Sequence, residues 1–489
     1  MTRGVVHSIL EETPEAVARR METAPAGCAL LELRADTLRA ADLSGLVRRA
    51  GRPVIVTVRT KEDGGRFDGS TAEKRAILAA GLAAGAAFVD VEWDGPLREL
   101  ALGAEAGRTI LSHHGARCDP TSLGSVYSAM ADTKAARLKI VPRAARPAQL
   151  PAIRELLTRA RLSRRELCAF AMGPAGTWSR IAALYWGSWG TYGATASGRE
   201  TGDGQIETTV MLSVYRVGAI SERTTVFALC GTPLGDSPSP ALHAAAYEAS
   251  GLDAVYVPLD SAELDDVIAL AGGNDPTSIA GFGVTIPLKE DAARRCSTLD
   301  AFAACGSANT VLIGKDGWSG FNTDAPAALA LIRKHLEPQD LSVAVSGSGG
   351  TARAIASALS AAGASVTMYS RNPETGARAA AAAAATWAPW GALAGATWEL
   401  LVQATPLGRQ GEEVLLRRHL NGRMVLDAAY GAEATPLVRA ARLRGLAVAD
   451  GLDLLGEQAA LQFTRLTGRA APRAAMAAAL QPWREASSA

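Results

Sequence analysis

At 489 residues, with 48% hydrophobic and 20% charged side chains, the chain exceeds what one core supports and predicts two or three domains. Fifty Lys+Arg against 49 Asp+Glu leave a formal net charge of +1, which excludes a global field recruiting nucleic acid or an anionic membrane and favours small-molecule partners. The six cysteines and six histidines show no CxxC or HxxxH spacing, so neither a disulfide framework nor a metal is expected. With no signal-peptide core and no run near the roughly 20 apolar residues of a membrane span, a soluble cytoplasmic protein is expected, as a monomer.

Up to about Ala219, the apolar runs "VVHSIL", "CALLELR", "PVIVTVR", "AAFVDVEW", "RTILSHH", "ARLKIV", "LCAFAM" and a weaker "WGTYGA" alternate with helical patterns. Eight β units of this kind predict a (β/α)8 barrel rather than an open sheet. Glu32, Arg34, Arg59, Asp90, Glu92, His113, His114, Lys139 and Met172 fall within or at the C-terminal ends of these runs, the rim where barrel enzymes build their sites. After the polar joint "ISERTT", the runs "VFALCG", "AVYVPL", "IAGFGVTIP" and "ANTVLI" predict a smaller α/β unit up to about Asp324. The strand, glycine turn and helix of "LSVAVSGSGGTARAIASAL", followed by the strand "SVTMYS", read as a Rossmann-type domain. The alanine-rich stretch from Thr375 to Trp398 reads as a covering helix without function.

A lysine inside "RLKIV" can simply snorkel from an edge strand. Its neighbours suggest more: burial and nearby arginines would free the amine's lone pair, such an amine condenses with ketones, and the resulting iminium acidifies the adjacent carbon. A histidine is the side chain best matched to move that proton, and "SHH" offers His113 and His114. Arg34, Arg59 and Arg180 could hold a carboxylate and hydroxyls.

The ordered motifs "LLELRAD", "VTVRTKEDGG", "LSHH", "LKIVPRA", "MGPAGTWSRIAALYWGSWGTYG" and "ETGDGQI" resemble type I 3-dehydroquinate dehydratase across nearly all of the first 220 residues. The resemblance implies Lys139 as the Schiff-base amine and His114 as its acid/base partner. It also implies that Glu32, Arg34, Arg59 and Arg180 hold substrate, and that Thr201 and Gln205 sit on a loop closing over it. The family's histidine-orienting glutamate is replaced by Asp63, with Glu62 beside it, and either could serve. An aromatic usual two residues after the histidine is Ala116.

In the second half, "GDSPSP" carries Ser237 and Ser239 in a turn, "GVTIPLKEDA" places Thr285 and Lys289 where a strand meets a helix, and "GFNTDAPAAL" supplies Asn322 and Asp324 at a helix start. Together they offer hydroxyl-binding donors and a Lys/Asp proton-transfer pair beside a dinucleotide domain, which points to hydride chemistry on a polyol. The turn "SGSGGTARA" is GxGGxxR-like, and the second strand ends in Ser370-Arg371-Asn372, with an arginine and no acid, so NADP(H) is expected as cofactor.

From about Thr225 onward, "GTPLGDSPSPALH", "GVTIPLK", "SANT", "FNTD", "GSGGTARA", "QATPLG", "YGAEATPL" and "ADGLDLLGEQAALQF" are similar to shikimate dehydrogenase. The resemblance implies substrate contacts from Ser237, Ser239, Thr285, Asn309, Asp324, Tyr430 and Gln458, and proton transfer by Lys289 and Asp324. For the cofactor it implies Gly347, Gly349, Gly350, Arg353, Ser370, Arg371 and Thr405. The usual "HSKSP" is "DSPSP", with Asp236 and Pro238, and the usual "NATPLG" begins with Gln403.

The fusion order resembles plant-type bifunctional dehydroquinate dehydratase/shikimate dehydrogenases. It implies a barrel over 1–222, a shikimate-binding α/β domain over 223–325, a Rossmann NADP domain over 326–450, and C-terminal helices over 451–489 returning to the substrate domain. The expected small molecules are 3-dehydroquinate, 3-dehydroshikimate and shikimate. A non-catalytic metabolite sensor built from the same domains, or a quinate dehydrogenase side activity, are the alternatives. Retention of Lys139, His114, Lys289 and Asp324 together argues for catalysis.

Overall fold

The computed structural model describes residues 2–235, 237–271, 278–414, 419–431 and 433–488; Asp236 lies outside them. The described residues fall into two compact units, one within Met1–Thr224, Pro258–Ser261 and Asp265–Thr277, the other within Thr225–Val257, Ala262–Leu264 and Ser278–Ala489. Among the described residues, no helix is long and apolar enough to cross a membrane.

The first unit is a curled parallel sheet of β1 (Gly4–Ile9), β2 (Cys28–Arg34), β3 (Val54–Thr57), β4 (Phe88–Glu92), β5 (Thr109–Arg117), β6 (Arg137–Arg143), β7 (Leu167–Ala169), β8 (Gly190–Ala194) and the short β9 (Ile206–Glu207). Consecutive strands pair from β1 to β7, and β8 returns to pair with β1. Between β7 and β8, hydrogen bonds outside a regular ladder close the expected barrel. Trp189 N–H donates to the Leu167 carbonyl at 3.1 Å, Ala169 N–H to Ser188 Oγ at 3.3 Å, and Cys168 Sγ to the Gly190 carbonyl at 3.0 Å. Helices on the outer face bury the other side of the sheet, which is why these runs read as continuously apolar.

Strand alternation explains what fills the barrel. Val6, Leu30, Ile55, Ile110, Cys168 and Tyr192 form one buried cluster at its centre. Two residues further along the same inward columns come Ser8, Glu32, Thr57 and Ser112, followed by Arg34, Arg59 and His114. The barrel is therefore packed with apolar side chains below and polar ones above, at the C-terminal ends of its strands. Several covering helices start at side-chain caps: Thr13 Oγ1 accepts from Ala16 N–H, Asp119 Oδ1 from Ser122 N–H, and Ser70 forms a capping box with Glu73.

The second unit holds two sheets. One comprises β10 (Thr225–Gly231), β11 (Ala254–Asp260, of which the residues up to Val257 belong to this unit), β12 (Ile279–Val284), β13 (Thr298–Leu299), β14 (Thr310–Gly314) and β15 (Gly317–Phe321), in the order β11-β10-β12-β14-β15-β13. The other comprises β16 (Ser342–Ser346), β17 (Ser365–Ser370), β18 (Thr386–Pro389), β19 (Leu400–Gln403), β20 (Met424–Asp427) and β21 (Ala447–Ala449). Its order, β18-β17-β16-β19-β20-β21, with every pairing parallel, is the Rossmann arrangement, whose crevice lies where the order reverses beside β16. The helices Gly451–Thr467 and Arg473–Ser488 contribute Phe463 and Leu480 to a core shared with Phe227, Leu242 and Tyr256 of the first of these sheets and its helix.

One expectation is corrected. The alanine-rich stretch is not a single covering helix: it forms the helix Pro373–Ala382, then β18, then a 3-10 turn at Trp390–Gly395. The chain turns at Ala384, where φ is +51°, and Trp387 Nε1 donates to Ser370 Oγ at 3.0 Å, pinning the new strand beside β17. Pairing along β17 outweighs alanine's helical preference.

Candidate active sites

In the barrel, one cavity is lined by all nine expected residues: Glu32, Arg34, Arg59, Asp63, His114, Lys139, Arg180, Thr201 and Gln205. Register brings the amine and imidazole together. Ser112 pairs with Lys139 across β5 and β6, and His114 stands two residues above Ser112 on the same inward face. His113 points the other way, its Nδ1 2.7 Å from Asp94 Oδ2.

Lys139 Nζ lies 3.5 Å from Asp90 Oδ2 and 4.0 Å from the centroid of the Tyr192 ring. Asp90 accepts further hydrogen bonds from Ser112 Oγ at 2.6 Å and Arg59 Nη2 at 2.9 Å. Arg59 Nη1 also donates to Glu92 Oε1 at 2.8 Å, and Lys74 Nζ to Glu92 Oε2 at 2.7 Å. Burial works against the Asp90 carboxylate, but Lys139 and Arg59 overcome it and hold Asp90 well below the usual carboxylate range. Burial, then the charges of Arg59 and Lys139, push the His114 imidazole well below its ordinary value, so it stands neutral and ready to accept a proton.

The substrate-side groups are held from behind. Glu32 accepts from Ser8 Oγ and, at 2.8 Å, from Thr57 Oγ1. Arg34 forks onto Asp36 and donates to the Thr201 carbonyl at 3.2 Å, while Arg180 lies 4.5 Å over the Phe170 ring and donates to the Asp203 carbonyl at 2.7 Å. Thr201 N–H donates to Gln205 Oε1 at 2.7 Å, so the loop carrying both lies against the two arginines. Asp63 lines the cavity, but its carboxylate accepts from Thr60 Oγ1 at 2.9 Å, and no hydrogen bond joins it or the exposed Glu62 to His114. Ala116 is buried and does not line the cavity; Val141, Phe170 and Met172 do. The sequence reading named Asp90 without its partner, and it missed Tyr192, whose buried hydroxyl has no hydrogen-bond partner among the described residues.

In the second unit, another cavity is lined by Ser237, Ser239, Thr285, Lys289, Asn309, Asp324, Tyr430 and Gln458. Lys289 begins the helix Lys289–Arg295, and its Nζ donates to Asp324 Oδ2 at 2.5 Å. Asn309 Nδ2 donates to Asp324 Oδ1 at 2.7 Å, while Thr323 Oγ1 donates to Gln458 Oε1 at 3.2 Å. Ser237 Oγ donates to Ser239 Oγ at 3.3 Å. Asn322 is structural: its Oδ1 accepts from Ala325 N–H and its Nδ2 donates to the Ser307 carbonyl.

The glycine turn fits a dinucleotide. Gly347 has φ +118°, and a Cβ there would meet the Ala404 carbonyl oxygen at 2.9 Å. Gly349 is the N-cap of the helix Gly350–Ala361 without a side-chain cap, which leaves first-turn N–H groups free for an anion. Arg371 is exposed and forms no ion pair among the described residues. Three expected cofactor residues are engaged elsewhere. Arg353 pairs with Glu290 at 3.0 Å and donates to the Gly306 carbonyl, the Ser370 hydroxyl donates to the Asn372 carbonyl at 3.2 Å, and Thr405 is bound through its hydroxyl and N–H to Gln403.

The family described as type I 3-dehydroquinase matches residues 5–222, the shikimate dehydrogenase substrate binding domain matches 229–311, and the shikimate 5'-dehydrogenase C-terminal domain matches 451–481. A shikimate dehydrogenase (NADP(+)) of Anaeromyxobacter sp. is 38% identical over 274 residues, 53% of this chain and 97% of that protein. The chloroplastic bifunctional 3-dehydroquinate dehydratase/shikimate dehydrogenase of Arabidopsis thaliana is 27% identical over 481 residues, 91% of this chain and 79% of that protein. A crystal structure of shikimate dehydrogenase in complex with NADP+ superposes with a TM-score of 0.50 at 26% identity, covering 54% of this chain and 96% of that one. The chain belongs to the shikimate dehydrogenase family and carries a type I 3-dehydroquinase domain ahead of it, a fusion in dehydratase–dehydrogenase order.

Proposed function

We propose that the chain performs two consecutive steps: the barrel dehydrates 3-dehydroquinate to 3-dehydroshikimate, and the second unit reduces 3-dehydroshikimate to shikimate with NADPH. The observation that carries this reading is the pairing of reactive groups in each cavity, Lys139 with a neutral His114 in one and Lys289 with Asp324 in the other.

In the barrel, the Lys139 amine adds to the substrate ketone and water leaves, giving an iminium. This withdraws electrons from the adjacent carbon. Neutral His114 removes a proton there, then returns it to the departing hydroxyl, which leaves as water. A further water hydrolyses the iminium and regenerates the amine, so the net loss is one water. Arg34, Arg180, Thr201 and Gln205 supply donors for the substrate's carboxylate and hydroxyls, and Glu32 accepts from a hydroxyl.

In the second unit, NADPH supplies the hydride when bound. The glycine turn and the first turn of helix Gly350–Ala361 would hold its pyrophosphate, and Arg371 its 2′-phosphate. Lys289 holds the ketone oxygen and gives it the proton that becomes the new hydroxyl hydrogen, while Asp324 orients the lysine. Ser237 and Ser239 line the same cavity and offer hydroxyls to the substrate. Two half-reaction assays test the reading: Lys139→Ala should abolish dehydration and spare reduction, and Lys289→Ala should do the reverse. Loss of both activities in either variant, or of neither, would contradict it.

A further inference from the structure

Thr351 is the second residue of helix Gly350–Ala361, directly after the glycine turn. Its Oγ1 accepts from Lys289 Nζ at 2.8 Å and donates to Asp324 Oδ2 at 3.0 Å, the same oxygen that receives Lys289. Asp324 Oδ1 is taken by Asn309 Nδ2. The hydroxyl has one proton to give and lone pairs to receive, so the three side chains close a ring in which each bond fixes the direction of the next. An ammonium carries three protons. Two are committed to Asp324 and Thr351, and the remaining one is left for the oxygen of a bound ligand in the cavity that Thr351 itself lines.

This contact depends on Gly350. A Cβ at that position would lie 3.1 Å from Lys289 Cβ and 2.6 Å from Ser307 Oγ, so glycine is what lets the helix start come against the lysine. The helix itself draws nothing from the hydroxyl, because its N-cap is Gly349 and uses no side-chain bond. Thr351 thus has one end in the turn that receives the dinucleotide and the other on the proton-transfer pair.

We propose that Thr351 is a positioning residue for the reduction: it aims Lys289 at the substrate oxygen and couples that aim to the helix turn where the dinucleotide binds. This rests on the reading of the cavity as a shikimate dehydrogenase site. By linkage, shikimate and NADPH, a pair that cannot react with each other, should then each tighten the binding of the other through this hydroxyl.

The test compares the full-length wild type with Thr351→Val, which keeps shape and loses the hydroxyl, and Thr351→Ser, which keeps the hydroxyl. Thr351→Val should lower kcat about 10-fold, as expected for losing hydrogen bonds to charged groups. Calorimetric titration with shikimate and no cofactor should show Kd raised about 5-fold, and addition of NADPH, which cannot take a hydride from shikimate, should no longer tighten it. Thr351→Ser should restore all three quantities to near wild type. Equal defects in both variants, a rise in KM for NADPH alone, or a Thr351→Val enzyme indistinguishable from wild type would overturn the inference. A wild-type chain that neither reduces 3-dehydroshikimate nor binds shikimate would overturn the reading of the cavity and this inference with it, whereas wild-type turnover with an indifferent Thr351→Val overturns the inference alone.

Discussion

Lys139 Nζ sits 4.0 Å from the centroid of the Tyr192 ring, with the ring's hydroxyl buried and unbonded beyond it. The ring packs against Nζ and confines it to the inner wall of the barrel; because the amine reacts only when uncharged, what the ring supplies to imine formation is position rather than charge. Tyr192→Leu should therefore slow borohydride trapping of the Lys139 adduct by about 10-fold, through lost positioning of the amine. Tyr192→Phe should keep most of the rate, because it keeps the ring. If the two variants trap equally, the ring does not hold the amine.

The depressed His114 imidazole fixes the sign of a pH dependence. Because burial and the charges of Arg59 and Lys139 lower it well below 6.5, it is neutral over a wider range than a free histidine, and it takes up a proton only in more acidic solution. The acid limb of kcat/KM for dehydration, which reports the free enzyme, should lie clearly below pH 6.5, and the His114 NMR resonances should not titrate above it. A limb at or above that value would show that another group is the base.

Asp427, at the end of β20, accepts from Thr435 Oγ1 at 2.6 Å and from Ala429 N–H at 3.0 Å, and burial pushes its carboxyl up to about 6. The folded state thus binds a proton more tightly than the unfolded chain. Stability falls as pH rises from the ordinary 3.8 through about 6, and the penalty persists above that. Asp427→Asn should remove this dependence, changing the stability difference between pH 4 and pH 8 by up to about 3 kcal/mol relative to wild type. Matched urea unfolding at the two pH values checks it, and parallel behaviour of the two proteins would refute it.

Arg371 follows the end of β17 without an ion pair among the described residues, in a turn that carries no acid. Arg371→Ala should weaken NADPH by about 10-fold through KM while leaving NADH unchanged, because only NADPH carries the 2′-phosphate. With Arg353 already bound to Glu290 and Gly306, no compensation from that side chain is expected. An unchanged NADPH/NADH preference would move the phosphate contact elsewhere.

Much of this architecture was legible because strand ends in a barrel collect their polar residues on one rim, and the eight runs carry them there. Choosing between His113 and His114 from the residues alone required register. Once Ser112 is paired with Lys139, alternation sends His114 inward and His113 to Asp94. The same need for register hid Asp90 and Tyr192 as partners of Lys139. Thr351 was invisible because its partners lie 62 and 27 residues away, and threonine after a glycine turn carries no local signal of a bond to a lysine. The hairpin of β14 and β15 was missed although "IGKDGW" holds an Asp-Gly turn signal. In the alanine-rich stretch, local propensity pointed the wrong way because a third parallel strand was needed beside β17.

The most direct measurement supplies the purified chain with 3-dehydroquinate and NADPH and identifies the product by chromatography and mass. Shikimate should accumulate with one NADPH consumed per molecule. Lys139→Ala should make none from 3-dehydroquinate yet still reduce added 3-dehydroshikimate. Binding of 3-dehydroquinate without loss of water or consumption of NADPH would contradict the account and leave the chain a metabolite sensor.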